Sequence, residues 1–147
     1  MEIKCKKGGD ECYGLSEMTL LFDISQRLMQ SKQLKNDLDS ILKMVVDYLE
    51  AERSFLSIFN RENSKIYIES AYGLSTSQQA RGKYELGEGI TGRVVEMARP
   101  VVIEKISKSS LFLNKMKQDL SKEGEELSFI CVPIMDDGRV TGTLSVV

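Results

Sequence analysis

Gly87-Glu88-Gly89-Ile90-Thr91-Gly92 has the spacing G-x-G-x-x-G between an extended run and a helical one, where a dinucleotide-binding turn would cradle a pyrophosphate. Two features oppose that chemistry. A nucleotide fold opens on a fully buried parallel strand, whereas Lys83-Tyr84-Glu85-Leu86 is short and half polar. Glu88 would also set a carboxylate beside the phosphates. The glycines instead supply backbone angles closed to other residues, and Glu88, just ahead of a helix, complements its dipole. Cys5 and Cys12 offer two thiolates to a zinc or iron-sulfur centre, short of the four ligands such a centre needs. Cys131 falls in an apolar run and reads as a small core residue. Arg93 stands in the first turn of a helix, a poor place for a cation unless it faces a carboxylate. It therefore binds an acidic ligand or pairs with Glu88 or Glu96. Phe112, Phe129 and Tyr84 read as core aromatics, and Phe112, on a loop, is also placed to cover a pocket.

The 147 residues contain no histidine, which removes Ser-His-Asp and Cys-His nucleophile pairs, His-ligated zinc and phosphohistidine transfer together. The expectation is a sensing or docking domain and not an enzyme. Lys and Arg total 20 against 22 for Asp and Glu, so a net charge of -2 gives no pull toward nucleic acid or anionic lipid. No apolar run approaches the ~20 residues of a membrane span, and the first residues lack a secretory signal. Three cysteines in no framework spacing suit a reducing compartment, so a cytoplasmic location is expected.

The elements that must hold these residues follow from periodicity. Residues 1–13 read as a mobile arm, charged from Met1 to Glu11 and broken by Gly8-Gly9. Residues 14–147 read as one domain. From Ser16, an N-cap candidate, Leu20, Leu21, Ile24 and Leu28 recur at helical spacing to about Gln30. Leu34, Leu38, Ile41, Leu42, Val45 and Leu49 make a second stripe, with Asp37, Asp39, Lys43 and Asp47 facing away. Ser54–Phe59 and Lys65–Ala71 predict a hairpin across Asn60–Ser64, followed by a short helix over Ser75–Arg81 that Gly82 stops. Lys83–Leu86 predicts a third strand, Ile90 to about Ala98 a helix ended by Pro100, and Val101–Ile103 a short strand. Ser107–Glu126 is polar, a loop or short helix with Leu111-Phe112-Leu113 as its apolar cluster. Leu127–Ile134 is apolar at both parities, which predicts a central strand covered on both faces. Asp136-Asp137-Gly138 turns the chain into Val140–Val147, whose uncapped end is expected to belong to a longer protein.

Several stretches carry a more specific signal: Tyr72-Gly73-Leu74-Ser75, the run from Gly82 through Gly92-Arg93-Val94-Val95-Glu96, Phe112-Leu113-Asn114, and Leu127 through Cys131-Val132-Pro133-Ile134. In these, from about Met18 onward, the chain resembles a GAF domain. It is most similar to those at the N-terminus of NifA-type, sigma-54-dependent activators of nitrogen-fixation genes. The resemblance implies an α+β fold with a central antiparallel sheet of five or six strands. N-terminal helices would cover one face, and a ligand pocket would lie under loops and short helices on the other. It implies a sensor that controls a downstream AAA+ ATPase on binding a small acidic metabolite, 2-oxoglutarate in the best-known members, or a nitrogen-status regulatory protein. It also implies a homodimer through the N-terminal helices. The pocket residues so implied are Thr91, Arg93, Phe112, Phe129 and Cys131. Cys5 and Cys12 are similar to the cysteine-bearing arms of regulators of alternative nitrogenases, where a metal or iron-sulfur centre would sit. Similar Gly-rich segments occur in GAF domains of nitrogen-linked phosphotransferases and sensor kinases, and some free-standing GAF domains reduce methionine sulfoxide through pocket cysteines. Those are the alternative functions.

Overall fold

A computed structural model gives the architecture. It describes residues 10–116 and 126–147, the side chains of residues 10–13 and 15 excepted. Helix α1, Asp10–Met29, begins earlier than the expected cap at Ser16, which lies inside it. Residues 1–9, most of the expected arm, lie outside the described residues. Of the apolar set of α1, Leu20 and Ile24 are half-buried, while Leu21 and Leu28 are exposed. Helix α2, Leu34–Leu49, buries Leu42, Val45 and Val46, and packs between α1 and the sheet. Asp39, expected to face away, instead accepts a hydrogen bond from the Ser70 hydroxyl on the sheet, and the Ser54 hydroxyl donates to the Leu42 carbonyl at 2.9 Å.

The sheet has six antiparallel strands in the order β3-β2-β1-β6-β5-β4. They are β1 Ser54–Asn60, β2 Lys65–Tyr72, β3 Lys83–Glu85, β4 Val101–Ile103, β5 Phe129–Asp136 and β6 Arg139–Val146. β5 and β6 join through Asp137 and Gly138, both at positive φ, the geometry of a two-residue turn that follows the twist of the strands. β6 then runs up the middle of the sheet, paired with β5 on one side and β1 on the other.

Helix α3, Thr76–Arg81, starts at a capping box. The Ser75 hydroxyl accepts from the Gln78 N–H while the Gln78 side chain accepts from the Ser75 N–H at 2.8 Å. Helix α4, Gly89–Met97, lies over β5, β6 and β3 on the face opposite α2. Between α4 and the sheet sits the main core, with Phe55, Ile90, Val94, Ile106, Met116, Phe129, Cys131 and Val147.

One strand departs from expectation. β5 lies inside the sheet, but only one of its faces is covered: Phe129 and Cys131 are buried, while Ile130 and Ile134 each remain 37% exposed. The reason is the seat of α2, which packs on β1 and β2 and leaves the same face of β5 open. Among the described residues, no helix is long and apolar enough to cross a membrane.

Candidate functional site

The site is assembled from the β3–α4 turn, the aromatic face of the sheet and the segment Leu111–Met116. In the turn, the Gly87 N–H donates to the Gly92 carbonyl, the Glu88 N–H to the Glu85 carbonyl, and the Gly92 N–H to the Glu88 carbonyl. The Glu88 carboxylate takes the Glu85 N–H at 2.8 Å. These amides are spent within the turn, and the Glu88 carboxylate sets a negative charge beside it. Its glycines serve packing: a Cβ on Gly92 would stand 2.3 Å from the Glu85 carbonyl oxygen, and one on Gly89 3.1 Å from the Leu113 side chain.

Beneath and beside this turn, Phe55, Tyr84, Ile90, Thr91 and Phe129 form walls that the segment Leu111–Met116 closes. We refer to that segment as the strap. Phe112 stands edge-on to Phe129 with ring centroids 5.2 Å apart, and Phe129 lies 6.1 Å from Phe55. The enclosed cavity measures about 10 Å³, room for roughly one water molecule. Side chains outside the strap fasten it. Arg81 on α3 donates to the Met116 carbonyl at 3.2 Å, and the Lys115 ammonium lies 2.7 Å from Glu88 and 5.2 Å from the centre of the Tyr84 ring. The hydrogen bond from Lys115, with that from the Glu85 N–H, holds the Glu88 carboxyl below its ordinary range. Burial pushes the Tyr84 phenol up to about 12, so it stays protonated as a hydrogen-bond donor at neutral pH.

Of the pocket residues expected from sequence, Thr91, Phe112 and Phe129 meet at this cavity. Cys131 is fully buried two residues along β5 from Phe129. Burial raises its thiol pKa, against the opposing influence of the Ser145, Thr143 and Thr91 hydroxyls that face it. Arg93 is exposed and does not line the cavity. Glu88, one of its two expected partners, is taken by Lys115. Tyr84 and Asn114 line the cavity without having been assigned to it, and Lys115 is the cation at its rim. In the sequence Tyr84 stands as a core aromatic and Asn114 in the stretch Phe112-Leu113-Asn114, with nothing local to point either at a cavity. Cys5 lies outside the described residues, as does the side chain of Cys12. Among the described residues, no cluster of His, Cys, Asp and Glu could hold a metal.

Comparison with known proteins sets this geometry in a lineage. Residues 34–147 match the GAF domain. The chain belongs to that family. Over 142 residues this GAF domain is 33% identical to the nitrogen fixation protein VnfA of Azotobacter vinelandii, covering 96% of the chain and 27% of that protein. It is 32% identical over 130 residues to the Nif-specific regulatory protein of Herbaspirillum seropedicae, covering 88% of the chain and 24% of the relative. The chain thus spans about a quarter of the length of these curated relatives. Among solved structures it is similar to the nlh2 GAF domain of A. aeolicus, in an inactive state, with 30% identity and a TM-score of 0.77. That match covers 90% of this chain and 79% of the other. The antiparallel six-stranded sheet with helices is the GAF fold, and the curated relatives include Nif-specific regulatory proteins.

Proposed function

We propose that this GAF domain is the sensor of a cytoplasmic nitrogen-fixation activator. On this reading it binds a small acidic metabolite and so sets the activity of an AAA+ ATPase elsewhere in the full-length protein, which acts on sigma-54 polymerase. The observation that supports this reading is the small aromatic cavity under a strap that Arg81 ties to α3 and Lys115 ties to the β3–α4 turn. A shut pocket with a releasable cover has two arrangements, and a ligand that fits only one of them shifts the balance between them. Thr91, Phe112 and Phe129 supply the walls. Lys115 supplies the cation for an acid in place of Arg93, because it stands at the cavity rim while Arg93 points to solvent.

Ligand entry moves Phe112 off Phe129, and the strap then carries the signal outward. The exposed apolar row Met18, Leu21, Phe22, Leu28 and Met29 on α1 is the surface through which two copies pair and pass that signal on. Thermal unfolding with 2-oxoglutarate and related dicarboxylates tests the reading. Binding raises the melting temperature by an amount that grows with the logarithm of ligand concentration above Kd. A folded sample with no shift for any of these acids would replace the metabolite with a protein partner as the input.

A further inference from the structure

Under α4, beside the cavity, the central strands carry a row of buried hydroxyl groups with no oxygen or nitrogen partner among the described residues. Ser57 on β1 is 1% exposed, and Thr143 and Ser145 on β6 are each 0% exposed. Among the described residues none of their three hydroxyls completes a hydrogen bond to oxygen or nitrogen, and Thr143 and Ser145 face only the Cys131 thiol, a weak partner. A buried polar group left so is destabilising, and three in one patch is an unusual density for a core.

The register sets the patch beside the cavity on the same face of the sheet. Ser57 sits opposite Thr143, and Ser145 sits between Phe55 on β1 and Cys131 on β5. Phe55 and Phe129 are walls of the cavity, and Ser57 and Cys131 lie two residues further along the same strands, roughly 7 Å deeper on the same face. Thr91 bridges the two regions: it lines the cavity, and its hydroxyl faces the Cys131 thiol.

We propose that Ser57, Thr143 and Ser145, with Thr91 and Cys131 at their edge, form a polar subsite for the inner end of the ligand. The subsite takes an uncharged hydrogen-bonding group such as a keto, amide or hydroxyl. Hydroxyls donate and accept, so they serve a neutral polar group in either sense. The patch has no cation of its own, and a carboxylate buried there would lack the counter-charge that makes such burial tolerable. The inference rests on the sensing role proposed above and adds an orientation. The acid group of the ligand stays at the strap beside Lys115, and its neutral end reaches under α4.

Cys131 provides a reporter that does not depend on knowing the ligand. Iodoacetamide and iodoacetate are matched in size and differ in carrying an amide or a carboxylate. In each case the Cys131 sulfur forms a bond to the methylene carbon, iodide leaves, and the thiol proton passes to solvent. Labelling of the native protein is followed at Cys131 by peptide mass mapping, which separates it from Cys5 and Cys12. The ratio of the two rates is compared with that for glutathione.

The expected result is a preference for the amide about tenfold beyond the glutathione ratio, equivalent to ~1.4 kcal/mol. Thr143→Val and Ser145→Ala abolish this preference while the melting temperature holds or rises, since each removes a buried hydroxyl with no oxygen or nitrogen partner among the described residues. Thr143→Ser retains it. A ratio equal to that of glutathione overturns the proposal, and so does a preference that survives both hydroxyl deletions. The amide preference without any thermal shift from dicarboxylates would remove the acid and keep the subsite. The reverse pair of results would keep the acid and remove the subsite.

Discussion

Glu88 shows how one side chain can serve both a turn and a cover. Its carboxylate accepts the Glu85 N–H and pairs with Lys115, and both interactions favour its charged form. A carboxyl whose folded pKa is depressed contributes stability above its ordinary value near 4.5, and that contribution is lost as pH falls through the lower, folded value. Denaturant midpoints measured from pH 7 down to pH 3 should therefore show Glu88→Gln less stable than the parent at neutral pH. The gap should be under about 1 kcal/mol, because the pair is about one-third exposed, and it should close in acid. Equal gaps at all pH values would mean that the charge of Glu88 is irrelevant to the strap. At this scale the sequence disclosed the walls better than the charges. Thr91, Phe112 and Phe129 stand in recognisable runs, whereas Lys115 lies in an aperiodic segment whose path depends on what it packs against. Arg93 was legible as a first-turn cation, but the solvent-facing side of α4 is set by the core residues Ile90, Val94 and Val95, which turn the other way.

The elements themselves were mostly written in local chemistry. The capping box at Ser75, the Asp137-Gly138 turn and the stop at Pro100 act over a few residues, so α3, the last hairpin and the end of α4 fall where the sequence puts them. The errors arose where distant contacts decide. The extent of α1 toward Asp10 and the open face of β5 depend on where helices come to rest on the sheet, which no short window records. The strap is the element with the least local reason for its conformation, and its ties should be separable from the stability of the domain. Arg81→Ala removes the donor to the Met116 carbonyl. Amide exchange over Leu111–Met116 should then accelerate several-fold with little change in global unfolding. Equal acceleration throughout the sheet would show that Arg81 supports the whole core and not the cover.

For the whole molecule, the order of elements could be read from the sequence but the order of strands could not, because first-to-last pairing leaves no trace in a local pattern. The α1 face raises a question of assembly. Met18, Leu21, Phe22, Leu28 and Met29 recur along one side of a helix and are all at least 45% exposed, too large an apolar row for a surface that meets only water. Sedimentation velocity should find a dimer at micromolar concentration, and Leu21→Glu with Phe22→Glu should return it to a monomer without loss of helix. A parent protein that sediments as a monomer at all concentrations would remove this face from the signalling route.

The position of β6 has a bearing on biosynthesis. Arg139–Val146 is the strand made last among those described, yet it joins β1 to β5. A nascent chain still short of Arg139 therefore carries two half-sheets, β3-β2-β1 and β5-β4, each with an open inner edge. Closure must wait for Arg139–Val146 to emerge from the ribosome, and until then those edges are the stretches of this domain that a chaperone has most cause to shield.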